Sequence, residues 1–182
     1  MYRKRIWHWG CCILIAIVWI RLQKKRLCEA LVLSQFNYCA PVYGLGLDQN
    51  TSSRIQRVQN SCARFIFGIK KYQHISHKIT ELKWLNMANR RKLSNLLLYH
   101  RILTTTKPEY LFEKLSFDRD VHGRVIRNSN RLRPPVHKTT LFERSFSFDI
   151  VRSYNALPDN LKSLKLGAFR TGVHRTLFES QV

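Results

Sequence analysis

The stretch Ser52-Ser53-Arg54-Ile55-Gln56-Arg57-Val58-Gln59-Asn60-Ser61-Cys62-Ala63-Arg64-Phe65-Ile66-Phe67-Gly68 sets how the rest of the chain is read. At about 100° per residue, Ile55, Val58, Cys62, Phe65 and Ile66 share one helical face. Arg54, Arg57, Ser61 and Arg64 share another. Ser52 or Ser53 offers an N-terminal cap, and Gly68 stands where a helix commonly ends in a left-handed residue. The spacing therefore predicts an amphipathic helix with an arginine stripe. Such a stripe is either a solvated back face or a surface for anions, and the charge of the whole chain bears on which.

The chain carries 32 Lys and Arg against 11 Asp and Glu, a formal net charge of +21 over 182 residues. Self-repulsion on that scale points to a polyanionic partner, either nucleic acid or an anionic membrane surface. With 45% hydrophobic and 12% aromatic residues, the composition excludes a disordered basic tail. The length suits one domain of ordinary size with a real core.

Downstream of Gly68, Lys70 and Lys71 open a polar connection. His74, Ile75, Ile79, Leu82 and Leu85 predict a short helix ending near Trp84. Asn86 is a candidate cap for a helix over about Met87–Thr104, with Leu93, Leu96, Leu97, His100 and Leu103 as its buried stripe. Arg90, Arg91 and Lys92 fall in its first turns, where the helix dipole favours anions instead. Lys107-Pro108 stops that helix, and Glu109–Leu115 reads as one or two further turns. From Ser116 to Thr140 the chain becomes a basic loop or arm, with short strands expected around Arg131–Pro134 and Thr139–Phe142. Phe142, Phe146, Ile150, Val151 and Tyr154 give another helix, closed by Leu157-Pro158. A last helix over about Ala168–Phe178 carries Phe169, Val173 and Leu177.

Upstream, Leu27–Tyr38 has helical spacing, broken by Pro41 and Gly44, and Leu47–Thr51 reads as a polar linker. Residues 1–26 look foreign to the rest. Arg3-Lys4-Arg5 precedes an apolar run from Trp7 to Ile20, and Arg21, Lys24, Lys25 and Arg26 follow it. The run is shorter than the roughly 20 residues needed to span a bilayer, and no small-residue cleavage site follows it. A buried or non-functional helix, a signal-anchor and a cleaved signal all remain open for it.

The expected fold is thus mainly α, a small bundle of about five to seven helices with a basic loop or short β-hairpin between helices. Its segments are 1–26, outside the rest in character; 27–115, helical; 116–140, the basic arm; and 141–182, a C-terminal helical extension.

No catalytic constellation is legible. There is no Gly-rich phosphate loop and no Gly-x-Ser-x-Gly elbow, and two-metal chemistry needs converging carboxylates. Asp118 and Asp120 are the nearest close acidic pair, and they read as charge balance. His74 and His77 offer two ligands without further candidates, so no metal site and no cofactor is expected. The five cysteines form no Cys-x-x-Cys motif, and their odd number favours a reducing compartment.

An ordered series of short motifs then carries a resemblance. It comprises Leu31-Val32-Leu33-Ser34-Gln35-Phe36-Asn37-Tyr38-Cys39, Val42-Tyr43-Gly44, Arg54-Ile55-Gln56-Arg57-Val58-Gln59-Asn60 with Ala63-Arg64, and Leu82-Lys83-Trp84-Leu85. Arg90-Arg91, Tyr99–Leu103, Pro108-Glu109-Tyr110-Leu111, Ser145-Phe146 and Tyr154-Asn155-Ala156-Leu157-Pro158 complete it. Together they resemble the region after the polymerase palm in LINE-type, jockey-like retrotransposon reverse transcriptases. The likeness covers about Leu27 to Phe178. Tyr154 departs from it, since the family usually shows Trp-Asn-x-Leu-Pro at that point.

The resemblance implies the helical thumb that holds a primer–template duplex, together with the extension that follows it. The palm's metal-binding aspartates have no counterpart here, so the implied product is a non-catalytic fragment of an RNA-directed DNA polymerase. Arg54, Arg57, Arg64, Lys70, Lys71, Arg90, Arg91 and Lys92 are its candidate phosphate contacts to an RNA or DNA duplex, independent of sequence. A palm on another polypeptide would be a further partner. That reading favours a nuclear or cytoplasmic location. The alternatives are a small basic protein anchored in a membrane through residues 7–20, and a degenerate reading frame without selected function.

Overall fold

The computed structural model describes residues 16–44, 46–113, 115–118, 131–143 and 145–181. It is mainly helical, with a single two-stranded sheet among the described residues. The run from Trp7 lies outside the described residues up to position 15, as do Asp120 and the arm from 119 to 130. The chain divides into two compact units. The first takes the residues up to Tyr38 together with Ser53–Trp84, and the second takes Cys39–Ser52 and Leu85 onward. These boundaries cut across the sequential segments read from composition, because the arginine-striped helix gives its first turn to the second unit.

In the first unit, α1 (16–27) runs directly into a π-helical turn, Cys28–Leu33. There Ser34 N donates to Glu29 O across five residues, at 3.1 Å. The helix expected from Leu27 to Tyr38 therefore ends at this wide turn. A chain of turns follows, closed by a short helix, α2 (Ala40–Tyr43), which belongs to the second unit.

Helix α3 (Gln49–Phe67) begins before the serines expected to cap it. Asp48 is the cap, since its carboxylate accepts from Asn50 N at 3.1 Å and Thr51 N at 3.2 Å. At the far end Gly68 takes φ 66°, the left-handed residue that the sequence predicts. Helix α4 (Ser76–Glu81) follows. The unit closes on Trp84, whose indole Nε1 donates to Glu29 Oε1 at 2.7 Å, and Lys25 Nζ donates to Leu82 O at 3.0 Å.

In the second unit, α5 (Met87–Thr105) is central and packs against α2, α8 (Phe146–Asn155) and α10 (Leu166–Glu179). Asn86 caps α5 as expected, its side chain accepting from Asn89 N at 2.7 Å. Asn89 Nδ2 donates to Leu177 O at 3.0 Å, which fastens the end of α10 to the start of α5. Leu96, Tyr99, Ile150, Val151, Tyr154, Phe169 and Val173 form the heart of the core. Its polar centre is His100, fully buried and stacked on Phe169 with ring centroids 3.9 Å apart. His100 Nε2 donates to Leu164 O at 2.9 Å, so Nδ1 is left to accept from the Tyr154 hydroxyl at 3.2 Å. Burial holds the imidazole below its ordinary pKa, and burial pushes the Tyr154 phenol up to about 12.

Short helical turns lie between these elements: α6 (Glu109–Phe112), α7 (Thr140–Glu143) and α9 (Asp159–Lys162). Strands β1 (Ser116–Phe117) and β2 (Leu132–Arg133) pair antiparallel, Ser116 opposite Arg133. The strand expected near Arg131–Pro134 is therefore present. The one expected over Thr139–Phe142 is instead α7, because Phe142 N donates to both Thr139 O at 3.1 Å and Thr139 Oγ1 at 3.4 Å, which starts a helical turn. Asn155 clasps the outer side of β2: its Nδ2 donates to Leu132 O at 2.7 Å and its Oδ1 accepts from Leu132 N at 3.2 Å.

Candidate nucleic-acid interface

Four side chains of α3 are buried: Gln59, Cys62, Ala63 and Ile66. At about 100° per residue they span an arc of about 100°. Arg54, Arg57 and Arg64 span about 80° on the opposite side, so the arginine stripe is the outer face of the helix. The buried arc is rotated from the expected one. Gln59 and Ala63 lie inside it, whereas Phe65 falls beside Arg54 and is 54% exposed. Two features account for the rotation. Ala63 is small enough to admit a close neighbour, and Gln56 Nε2 donates to the buried Gln59 Oε1 at 2.8 Å, meeting part of its polar demand.

Arg54 and Arg57 are exposed, as are Lys70 and Lys71 in the turn that follows α3. Arg64 is half-buried and reaches Gln73 O with Nη2 at 3.5 Å, so it braces that turn. Among its described residues the first unit carries eleven Lys and Arg against two acids, Glu29 and Glu81. Both acids are engaged: Glu29 by Trp84 and by Lys25 at 3.9 Å, Glu81 by Lys78 at 2.6 Å. Several cations also lie over aromatic rings. Arg21 and Lys78 approach Phe67 at 5.4 and 4.9 Å, and Lys24 approaches Phe65 at 5.1 Å.

The remaining three candidates are in the second unit. Lys92 is exposed and Arg90 half-buried. Arg91 does not belong with them. It is 8% exposed, its Nη2 donates to Ser52 Oγ at 3.0 Å, and burial lowers its pKa from the usual guanidinium value. Its stem passes Gly44 so closely that a Cβ there would lie 2.9 Å from Arg91 Cδ and 2.5 Å from Ala40 O. Arg91 is thus a structural residue of the second unit, with no guanidinium face available for a phosphate.

Among the described residues no group of three or more His, Cys, Asp and Glu could hold a metal ion. The His74 and His77 rings stack at 6.5 Å without a third donor. Cys28 and Cys62 are buried; burial, reinforced by the adjacent Cys62 thiol, pushes Cys28 up to about 11, so it stays a protonated packing group at neutral pH. A cavity of about 360 Å³ in the second unit lies among Ile102, Leu111, Leu115, Phe146, Ile150 and neighbouring side chains, and it contains none of the candidate contacts. No helix among the described residues is long and apolar enough to cross a membrane. Sequence reasoning missed Phe65 and Tyr72 as surface groups; Tyr72 lies in the same turn as Lys71 and is 93% exposed. Searches against family models, characterised proteins and solved structures return no match to the chain.

Proposed function

We propose that the chain is a non-catalytic fragment of an RNA-directed DNA polymerase of mobile-element type, whose inherited task is to hold a nucleic-acid duplex through its phosphates. The observation that carries this reading is the first unit's outer face. Arg54 and Arg57 stand opposite the buried arc of α3, Lys70 and Lys71 follow in the next turn, and the unit's two acids are already engaged. Cations arranged in this way neutralise phosphates and release counterions, which gives affinity without choice of sequence. The ordered motifs from Leu31 to Pro158 supply the polymerase origin, and the missing counterpart of the palm aspartates supplies the non-catalytic status. A palm carried by another polypeptide would complete the enzyme.

The test is the salt dependence of binding to a blunt DNA duplex. Each phosphate contact contributes a slope of about −0.9 in log affinity against log salt. Replacing Arg54 and Arg57 together by Gln keeps helix propensity and is expected to flatten the slope by about two. A folded double variant with the parent's slope would leave the stripe as a solvated back face. Arg91→Met is the internal control: it should lower stability and leave the slope alone.

A second reading rests on one observation. Val18, Trp19 and Ile20 of α1 are 47–63% exposed, and they end the apolar run from Trp7, which suits attachment of residues 7–20 to a membrane. Retention of the chain by membranes through an alkaline carbonate wash would favour it.

A further inference from the structure

The end of α3 and the turn after it combine cations with aromatic rings that the duplex reading does not use. Phe65 is 54% exposed beneath Lys24 Nζ, and Tyr72 is 93% exposed beside Lys71 Nζ, 5.9 Å from its ring centroid. Hydrogen bonds tie the turn that carries Tyr72 to the end of α3, the helix that carries Phe65. Ile69 N donates to Arg64 O at 3.0 Å, Gln73 N donates to Lys70 O at 3.2 Å, and the Arg64 guanidinium reaches Gln73 O. Burying either ring would lower its free energy by keeping apolar surface from water, yet both stand out of the fold among cations.

A duplex offers phosphates to such a surface but keeps its bases stacked and paired. An unpaired strand offers both a phosphate chain and free base faces, and rings interleaved with cations match that pair of features. We infer that this surface takes unpaired nucleotides, with Phe65 and Tyr72 as stacking platforms and Lys24, Lys70 and Lys71 on the phosphates. The inference rests on the nucleic-acid reading above and narrows its ligand to single-stranded RNA or DNA, or to the unpaired end of a primer–template. Stacking tolerates any base, so no sequence preference accompanies it.

The experiment is fluorescence anisotropy of the whole chain with labelled oligothymidylate and with a blunt duplex, for the parent, Tyr72→Ala, Tyr72→Phe and Phe65→Leu. Tyr72→Ala is expected to weaken single-strand binding about tenfold while leaving duplex binding and circular dichroism unchanged. Tyr72→Phe, which keeps the ring, should restore it, and Phe65→Leu, which removes a ring but keeps apolar volume, should weaken the single strand alone. Duplex binding with single-strand affinity unmoved by Tyr72→Ala would sink the stacking inference and spare the phosphate reading. Absence of binding to either nucleic acid would end both. Tight binding to phosphatidylserine vesicles that oligothymidylate does not displace would make the same rings a membrane contact and overturn the inference.

Discussion

The two units of this protein carry their positive charge in different ways. Among the second unit's described residues thirteen Lys and Arg stand with eight acids, including Asp48, Glu109, Glu143, Asp149 and Asp159, and the buried guanidinium of Arg91 is fixed to Ser52. Its centre is a close-packed set of rings in which the only imidazole is kept neutral. Among the first unit's described residues two acids stand against eleven cations, the buried groups include Cys28, Cys62, Ala63 and Gln59, and the Phe65 and Phe67 rings lie beneath lysines and an arginine. The second unit therefore packs Tyr99, Tyr154 and Phe169 into its core, whereas the first leaves Phe65 and Tyr72 at its surface. An acid-poor surface with exposed rings favours an anionic neighbour in physical terms, whereas a ring-filled core serves the unit's own packing.

The largest effect that would sharpen this contrast is expected from Phe169→Ala. Phe169 is fully buried against His100, and its removal should cost about 3–5 kcal/mol in denaturant unfolding. A loss below about 1 kcal/mol would mean the second unit is not the packed one. Asn155→Ala comes next. It removes both bonds to Leu132, which is 2% exposed, and leaves that residue's N–H and C=O bare. About 2–3 kcal/mol should be lost, with amide exchange at Leu132 accelerated.

A pH effect follows from His100. Its folded pKa is depressed by burial, only partly opposed by the bond to Leu164. The unfolded imidazole, near 6.5, therefore binds a proton that the folded one refuses. Stability is full above about 6.5 and falls as pH drops through that value toward the folded pKa. The groups facing the ring are the Tyr154 hydroxyl and the Leu164 carbonyl, and neither titrates in this window. The parent's melting temperature should fall more between pH 7.5 and pH 5 than that of His100→Gln, and equal falls would place the acid sensitivity elsewhere. The smallest effect is expected at Phe65→Ala, below about 1 kcal/mol because the ring is more than half exposed. A cost like that of Phe169 would erase the difference between the units.

Much of the fold is legible in the residues. The 3.6-residue spacing finds α3, α5, α8 and α10, Asn86 caps where its amide can reach Asn89 N, and Gly68 ends α3 with a positive φ. These features are local: a cap, a left-handed glycine and an apolar stripe each act within a few residues. The candidate site is legible only as a stripe. Arg54 and Arg57 are exposed as a helical wheel suggests, but Arg91 stands beside Arg90 and Lys92 in sequence and points to a different fate.

What the chain alone determined, then, is its helical character, its charge and the spacing of its stripes, because these depend on composition and on neighbours three or four residues away. Tertiary structure decided which edge of each stripe is buried. Phe65 surfaces because Gln59 and Ala63 take the inner arc, and Arg91 is sequestered because Gly44 lets its stem pass to Ser52, 39 residues upstream. It also gave Tyr154 and Asn155 their work, one on His100 and one on Leu132, across 54 and 23 residues. No local propensity encodes such pairings, since each side chain meets its partner only when distant segments are brought together by packing.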